Sequence, residues 1–130
     1  MEFPYSQVIG VFEIADAGGP PQPGPGMHHT QLRHHSFEDV VTRYERLKEC
    51  GVEPVESWNH GPSTSFYYRD LDQNMVEISG SNYDTEEGYL SYFDTEAYKK
   101  NFAGVEIDPV TFVARYRSGV ALTDLVTIDA

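Results

Sequence analysis

The chain of 130 residues carries a single cysteine, Cys50. One thiol excludes an intrachain disulfide, and such sparing use of cysteine fits a reducing compartment. Basic residues are scarce as well: nine Lys and Arg stand against 21 Asp and Glu, for a formal net charge of -12. The nine are scattered with no basic run, which argues against binding nucleic-acid phosphates or anionic membranes. No apolar stretch approaches the ~18 residues of a membrane-spanning helix. Met1-Glu2-Phe3-Pro4-Tyr5 lacks the basic start and apolar run of a signal peptide. No long repeat is visible. These absences lead to the expectation of a soluble, cytoplasmic protein with one modest domain. What the chain has in quantity is aromatic side chains (nine Tyr, seven Phe, one Trp), which suit an aromatic-lined pocket or, equally, a tyrosine-rich surface.

The pattern along the chain divides it into three parts. Residues 1–26 hold a strand over Gln7 to Ile14 and a linker from Ala15, where Gly18-Gly19-Pro20-Pro21-Gln22-Pro23-Gly24-Pro25-Gly26 excludes helix and central strand. Residues 27–82 read as strand, helix, strand, turn, strand, strand. Met27 to Arg33 is the first strand. Ser36 caps a helix running to Glu49, with Phe37, Val40, Val41, Tyr44 and Leu47 on one stripe and Gly51 ending it. Val52 to Trp58, Ser63 to Arg69 and Met75 to Ser79 are the remaining strands, with a His60-Gly61 turn and an acidic turn, Asp70-Leu71-Asp72-Gln73-Asn74, between them. Residues 83–130 read as helix and loop. Thr85 to Tyr92 and Thr95 to Phe102 look helical, the latter capped by Asp94, and Asp108-Pro109 opens a helix over Val110 to Ser118.

Alternation assigns faces to the candidate functional residues. With Val76 and Ile78 toward the core, Glu77 points the other way, as a solvated outer-face residue or as a ligand. With His28, Thr30 and Leu32 toward the core, His29, Gln31 and Arg33 line the opposite side. Phe66 and Tyr68 share one face of their strand; Ser65, Tyr67 and Arg69 share the other. Cys50 has no His or second Cys placed beside it and reads as structural. Asp70 and Asp72 lack the ligand spacing of a calcium loop.

A family resemblance rests on Gly26-Met27-His28-His29, Tyr44-Glu45-Arg46-Leu47-Lys48, Gly51-Val52, Asn59-His60-Gly61-Pro62, Ser65-Phe66-Tyr67-Tyr68-Arg69-Asp70, Asn74, Val76-Glu77-Ile78 and the tail segment Gly104-Val105-Glu106-Ile107-Asp108-Pro109. With the strand order, these residues resemble one βαβββ module of the vicinal oxygen chelate superfamily, which includes glyoxalase I, extradiol dioxygenases and bleomycin-resistance proteins. The resemblance implies an α+β fold with a curved mixed sheet, an extra N-terminal strand and a helical C-terminal tail. It also implies that His29 and Glu77 are metal ligands, that His60 is the histidine assisting dioxygen activation and proton transfer, and that Tyr67 hydrogen-bonds the bound substrate. Imidazole with carboxylate suits Fe(II) or Mn(II) and leaves positions open for substrate. Trp58, Phe66, Tyr67 and Gln31 are the expected substrate-binding residues.

The resemblance has three gaps. Most of the first module is absent, and with it the second histidine ligand of the extradiol enzymes. The acidic turn lacks the Pro and Gly of the family pattern. Thr30-Gln31-Leu32 replaces Val-Ala-Phe. Two rebuilt sites are compatible with these gaps. Glu13 in Phe12-Glu13-Ile14 echoes Glu77 and would serve as a third ligand. Alternatively, a homodimer would bring His29 and Glu77 of both chains together. The expected function is therefore a divalent-metal-dependent enzyme acting on a small phenolic or oxygen-rich molecule, by dioxygenase or by isomerase, lyase or cyclase chemistry. The alternative is a non-catalytic, metal-free small-molecule-binding protein of the same fold.

Overall fold

In the computed structural model the described residues are 9–11, 26–71 and 73–128. The linker from residue 15 to 25, most of the strand expected over Gln7 to Ile14, and Glu13 lie outside them. Within them six strands form one curved, unclosed sheet in the order β1-β2-β5-β4-β3-β6. These are β1 Ile9–Val11, β2 Met27–Arg33, β3 Glu56–Asn59, β4 Ser63–Arg69, β5 Met75–Ser81 and β6 Val105–Glu106. Helix α1, Phe37–Glu49, carries the chain from β2 across to β3. That crossover lets β2 lie parallel to β5, while β3, β4 and β5 meander antiparallel. The module is thus βαβββ, as the strand pattern implied.

Period-two alternation divides the sheet into an apolar and a polar face. Phe66 pairs with Ile78 and Tyr68 with Val76, while Tyr67 pairs with Glu77 and Ser65 with Ser79 on the other side. The apolar stripe of α1 (Phe37, Val40, Val41, Tyr44) packs on Phe66, Tyr68 and Ile78, and Tyr44 stacks on Phe66 with ring centroids 5.1 Å apart. Gly80 makes the close approach possible: a Cβ there would lie 2.7 Å from Val40 Cγ2. The helix starts where its cap dictates, since the Asp39 amide donates to Ser36 Oγ at 3.1 Å and the Ser36 hydroxyl donates to the Asp39 carboxylate at 2.8 Å. It ends at Gly51, whose φ of 77° is the left-handed conformation of a helix terminus.

The tail adds to the same core, beside α1. Helices α2 Glu86–Ser91 and α3 Glu96–Lys100 flank a 3-10 turn at Tyr92–Asp94, and α4 Pro109–Arg117 and α5 Leu122–Val126 follow β6. Phe112, Val113 and Leu125 join the core cluster, and Arg117 holds α4 to α1 through Glu38 and Glu45, each at 2.6 Å. The tail departs from the expectation of helix and loop in one consequential way. Val105–Glu106 is a strand, paired with Asn59 and Trp58 at the edge of the sheet. Smaller differences have local causes. Thr95, not Asp94, caps α3 by accepting from the Tyr98 amide, and the strand expected over Val52 to Trp58 begins only at Glu56. The helix-side face of β2 is not core, because His28, Thr30 and Leu32 are all exposed, Leu32 by 47%; α1 seats over β4 and β5 instead.

The acidic turn shows what the missing glycine does. Gln73 has φ 70°, the only non-glycine residue with positive φ among those described. Asp70 holds the turn by accepting from the Asn74 amide at 2.8 Å, and Arg69 donates to the Gln73 carbonyl at 2.7 Å. A left-handed non-glycine residue costs about 1–2 kcal/mol, offset in part by the greater unfolded-state freedom of glycine. Gln73→Gly is therefore expected to raise stability by about 0.5–1 kcal/mol, read as a higher urea midpoint at unchanged slope.

Candidate metal and proton-transfer site

The polar face of β5 and β2 is organised by one carboxylate. Glu77 is only 3% exposed, and a buried carboxylate must be hydrogen-bonded. Its Oε1 accepts from the Ser65 hydroxyl at 2.6 Å and the Gln31 amide at 3.0 Å, and Gln31 also donates to Ser79 Oγ at 3.1 Å. Its Oε2 lies 2.9 Å from His29 Nε2. Parallel pairing of β2 with β5 sets Gln31 opposite Glu77, and antiparallel pairing of β4 with β5 sets Ser65 opposite Ser79. Both serines are essentially without solvent exposure. Small side chains there leave room for the carboxylate between them. Gln31, expected to bind substrate, donates its amide to Glu77 and Ser79. Sequence reasoning passed over Ser65 and Ser79, whose only signal was two small polar residues on the Glu77 face of adjacent strands.

The His29–Glu77 pair fits a divalent metal in donor type and spacing. Two donors on neighbouring corners of a coordination shell, each about 2.1 Å from the ion, lie about 3 Å apart, and Nε2 and Oε2 are separated by 2.9 Å. The other nitrogen of His29 is engaged too, with Nδ1 lying 2.8 Å from Nδ1 of His28. One ring donates and the other accepts. Among the described residues no third His, Cys, Asp or Glu joins the pair. The third ligand proposed from sequence, Glu13, lies outside the described residues.

Beside this pair stands a second one. The Tyr67 hydroxyl and His60 Nε2 are 3.0 Å apart, and His60 Nδ1 lies 2.7 Å from the Ala103 carbonyl. Tyr67 bridges the pairs, since its ring meets that of His29 edge-on with centroids 5.8 Å apart. Burial, and after it the Glu77 carboxylate, pushes the Tyr67 phenol above its usual value, so the hydroxyl stays protonated near neutrality. The Trp58 ring lies nearly parallel to that of His60, with an interplanar angle of 8° and centroids 6.2 Å apart, and its indole N–H donates to Glu56 at 3.2 Å.

The structure therefore brings together His29, Glu77, Gln31, Tyr67, His60 and Trp58. It does not bring Phe66 to them. Phe66 is fully buried on the opposite face against Tyr44. Strand alternation puts it out of reach of any ligand held by Glu77. Ala103, a backbone partner of His60, was invisible from sequence because a carbonyl contact has no side-chain signature.

The sequence profile of the Glyoxalase/Bleomycin resistance protein/Dioxygenase superfamily matches residues 9–78, and the chain belongs to that superfamily. Two curated relatives from Rhodococcus globerulus extend the likeness. Biphenyl-2,3-diol 1,2-dioxygenase 2 is 37% identical over 109 residues, 83% of this chain and 57% of the relative. Biphenyl-2,3-diol 1,2-dioxygenase 3 is 34% identical over 113 residues, 85% of this chain and 60% of the relative. The chain thus spans less than two thirds of the length of either. No solved structure matches.

The buried tyrosines carry a pH dependence. Burial raises the phenol of Tyr68 as well, with Tyr44 adding to it. Tyrosines in the unfolded chain ionise near pH ~10, whereas folded Tyr67 and Tyr68 keep their protons to higher pH. Their contribution to stability is complete below the unfolded value and is lost as pH rises above it. Denaturant midpoints measured from pH 8 to 11 should fall at the alkaline end, and less steeply in Tyr67→Phe.

Proposed function

We propose that this chain is a divalent-metal-dependent enzyme of extradiol dioxygenase type acting on a small aromatic diol, with Fe(II) or Mn(II) as the metal. One observation carries the reading: His29 and Glu77 converge at 2.9 Å on the face where Tyr67 and His60 form a second hydrogen-bonded pair at 3.0 Å. The diol class follows from the two relatives, whose names specify biphenyl-2,3-diol. A bound metal would polarise diol oxygens and provide the site of dioxygen chemistry. The chain's own residues do the rest. Glu77 is held rigid by Ser65 and Gln31. The protonated Tyr67 hydroxyl donates to His60 Nε2, and its oxygen accepts the O–H of a diol bound beside Glu77. His60 Nε2, unprotonated in the neutral ring, takes the Tyr67 proton as the diol passes its own to the Tyr67 oxygen. The nearly parallel Trp58 ring keeps the imidazole in plane.

Two donors are too few to hold such a metal tightly, and the third and fourth are assigned to a second copy of the chain. A two-fold axis near Glu77 would supply two His and two Glu from equivalent positions. The bonded state of the His29–Glu77 pair also supports the other reading, a metal-free binding protein in which Trp58 and Tyr67 hold an aromatic ligand.

Metal content and mass of the untagged protein separate these readings. About half a metal per chain with a dimer by light scattering is expected for the shared site. Near one per chain would place the third ligand within the chain, as with Glu13. No uptake after anaerobic loading with iron or manganese would leave the binding protein. Glu77→Gln preserves side-chain shape but removes the anionic ligand, so it should abolish metal uptake. Glu77→Ala would in addition leave Ser65, Gln31 and His29 without their shared acceptor, at a cost of about 1–3 kcal/mol. Tyr67→Phe should keep the metal and lower turnover of an aryl diol by about 10²-fold or more.

A further inference from the structure

The segment from Asn101 to Glu106 makes close contact with the His60 turn, and the contacts are backbone to backbone. A Cβ on Gly104 would lie 2.2 Å from the Asn59 carbonyl oxygen and 2.6 Å from His60 Cα. Gly104 also has φ 89°, a conformation that only glycine adopts without strain. Asn101 holds this glycine from the other side: its amide donates to the Gly104 carbonyl at 2.6 Å, and its Oδ1 accepts from the Gly104 N–H at 3.2 Å. From Val105 onward the chain pairs with Asn59 and Trp58 as strand β6. The residue fixed between the Asn101 clamp and the strand is Ala103, whose carbonyl lies 2.7 Å from His60 Nδ1.

The receiving side is equally fixed. Asn59 is buried, donates to the Val126 carbonyl at 2.8 Å, and accepts from the Gly61 N–H at 2.9 Å and the Asn82 amide at 3.0 Å. The Tyr92 ring fills the space where a Gly61 side chain would stand. His60 therefore sits in a turn that cannot shift toward or away from the tail without breaking several buried hydrogen bonds.

A carbonyl oxygen only accepts, so His60 Nδ1 must donate to Ala103. In the neutral ring this leaves Nε2 without a proton and turned toward Tyr67 and the Glu77 face. We infer that the Asn101–Gly104 segment is a positioning device that fixes the His60 tautomer, with Ala103 as its point of contact, so that Nε2 is the proton acceptor of the site. The inference rests on the reading of His60 as the proton-handling group for its meaning, but not for its test. The second part of the fold is thus a working component of the site in the first. Any side chain at position 104 would push the Ala103 carbonyl off the imidazole and release the ring to either tautomer.

Long-range proton–nitrogen correlation spectra of the ¹⁵N-labelled chain report the tautomer directly, without metal or turnover. The His60 signals among the five histidines are assigned by difference with His60→Gln. The expected pattern in the unaltered protein at pH 8 is Nδ1–H with a bare Nε2. Gly104→Ala should lose that pattern in favour of Nε2–H or an average of the two, and Asn101→Ala should move it in the same direction by less. Finding Nε2–H in the unaltered protein would overturn the inference. So would an unchanged tautomer in folded Gly104→Ala and Asn101→Ala, and Asn101→Ala decides the matter alone if Gly104→Ala fails to fold. A His60→Gln variant with undiminished turnover of an aryl diol would instead sink the functional reading and leave the tautomer result standing.

Discussion

A carboxylate withdrawn from water has to be met by donors on every side that solvent has left, and much of this sheet's polar face is arranged to do that for Glu77. Three strands contribute. Strand β5 presents the carboxylate, β4 supplies the Ser65 hydroxyl, and β2 supplies Gln31 and His29. The strand order makes this possible, because β2 and β4 are the two neighbours of β5 and the α1 crossover brings β2 in parallel. A one-residue slip in either pairing would turn Glu77's partners to the apolar face and Phe66 of β4 or Leu32 of β2 to the polar one. The apolar packing of α1 therefore fixes the register of the site as well as the core.

Much of this was legible in the residues. Alternation in Ser63–Arg69 and Met75–Ser81 separates Phe66, Tyr68, Val76 and Ile78 from Ser65, Tyr67, Glu77 and Ser79, and the structure follows that division. The same alternation sets Phe66 on the core face away from Glu77, and an aromatic residue in a strand reads alike as pocket lining or core until its face is counted. The placement of α1 was also written locally, in its cap and apolar stripe. The β2 face was less legible. His28, Thr30 and Leu32 read as an inward side if Leu32 faces the core, but what decides burial is whether a helix lies above, and α1 covers the neighbouring strands.

The tail was the least legible part, for a physical reason. A two-residue edge strand such as Val105–Glu106 has no periodicity to detect, and its pairing with Asn59 and Trp58 is a matter of backbone position. Its one signal was Gly104 beside the resembling segment. A glycine held at positive φ against the backbone of a distant segment of the same chain marks a place where side chains are excluded by contact rather than by turn geometry alone. The turn at Asp70–Asn74 is the reverse case. There glycine is the residue the geometry favours, and Gln73 occupies the left-handed position at a cost that the Asp70 and Arg69 hydrogen bonds absorb.

The two hydrogen-bonded pairs of the polar face differ in how completely the chain finishes them. His60 is fixed at both ring nitrogens by groups of this chain, Tyr67 on one side and Ala103 on the other, with Trp58 against its face. His29 and Glu77 lie 2.9 Å apart, a spacing that suits adjacent positions around a metal, and among the described residues they are joined by no third His, Cys, Asp or Glu. On the proposed reading, Tyr67 and His60 handle the proton, and His29 and Glu77 are half of a ligand set. On that reading a second copy of the same surface is the simplest source of the remaining ligands, because a two-fold axis duplicates His29 and Glu77 without any new sequence.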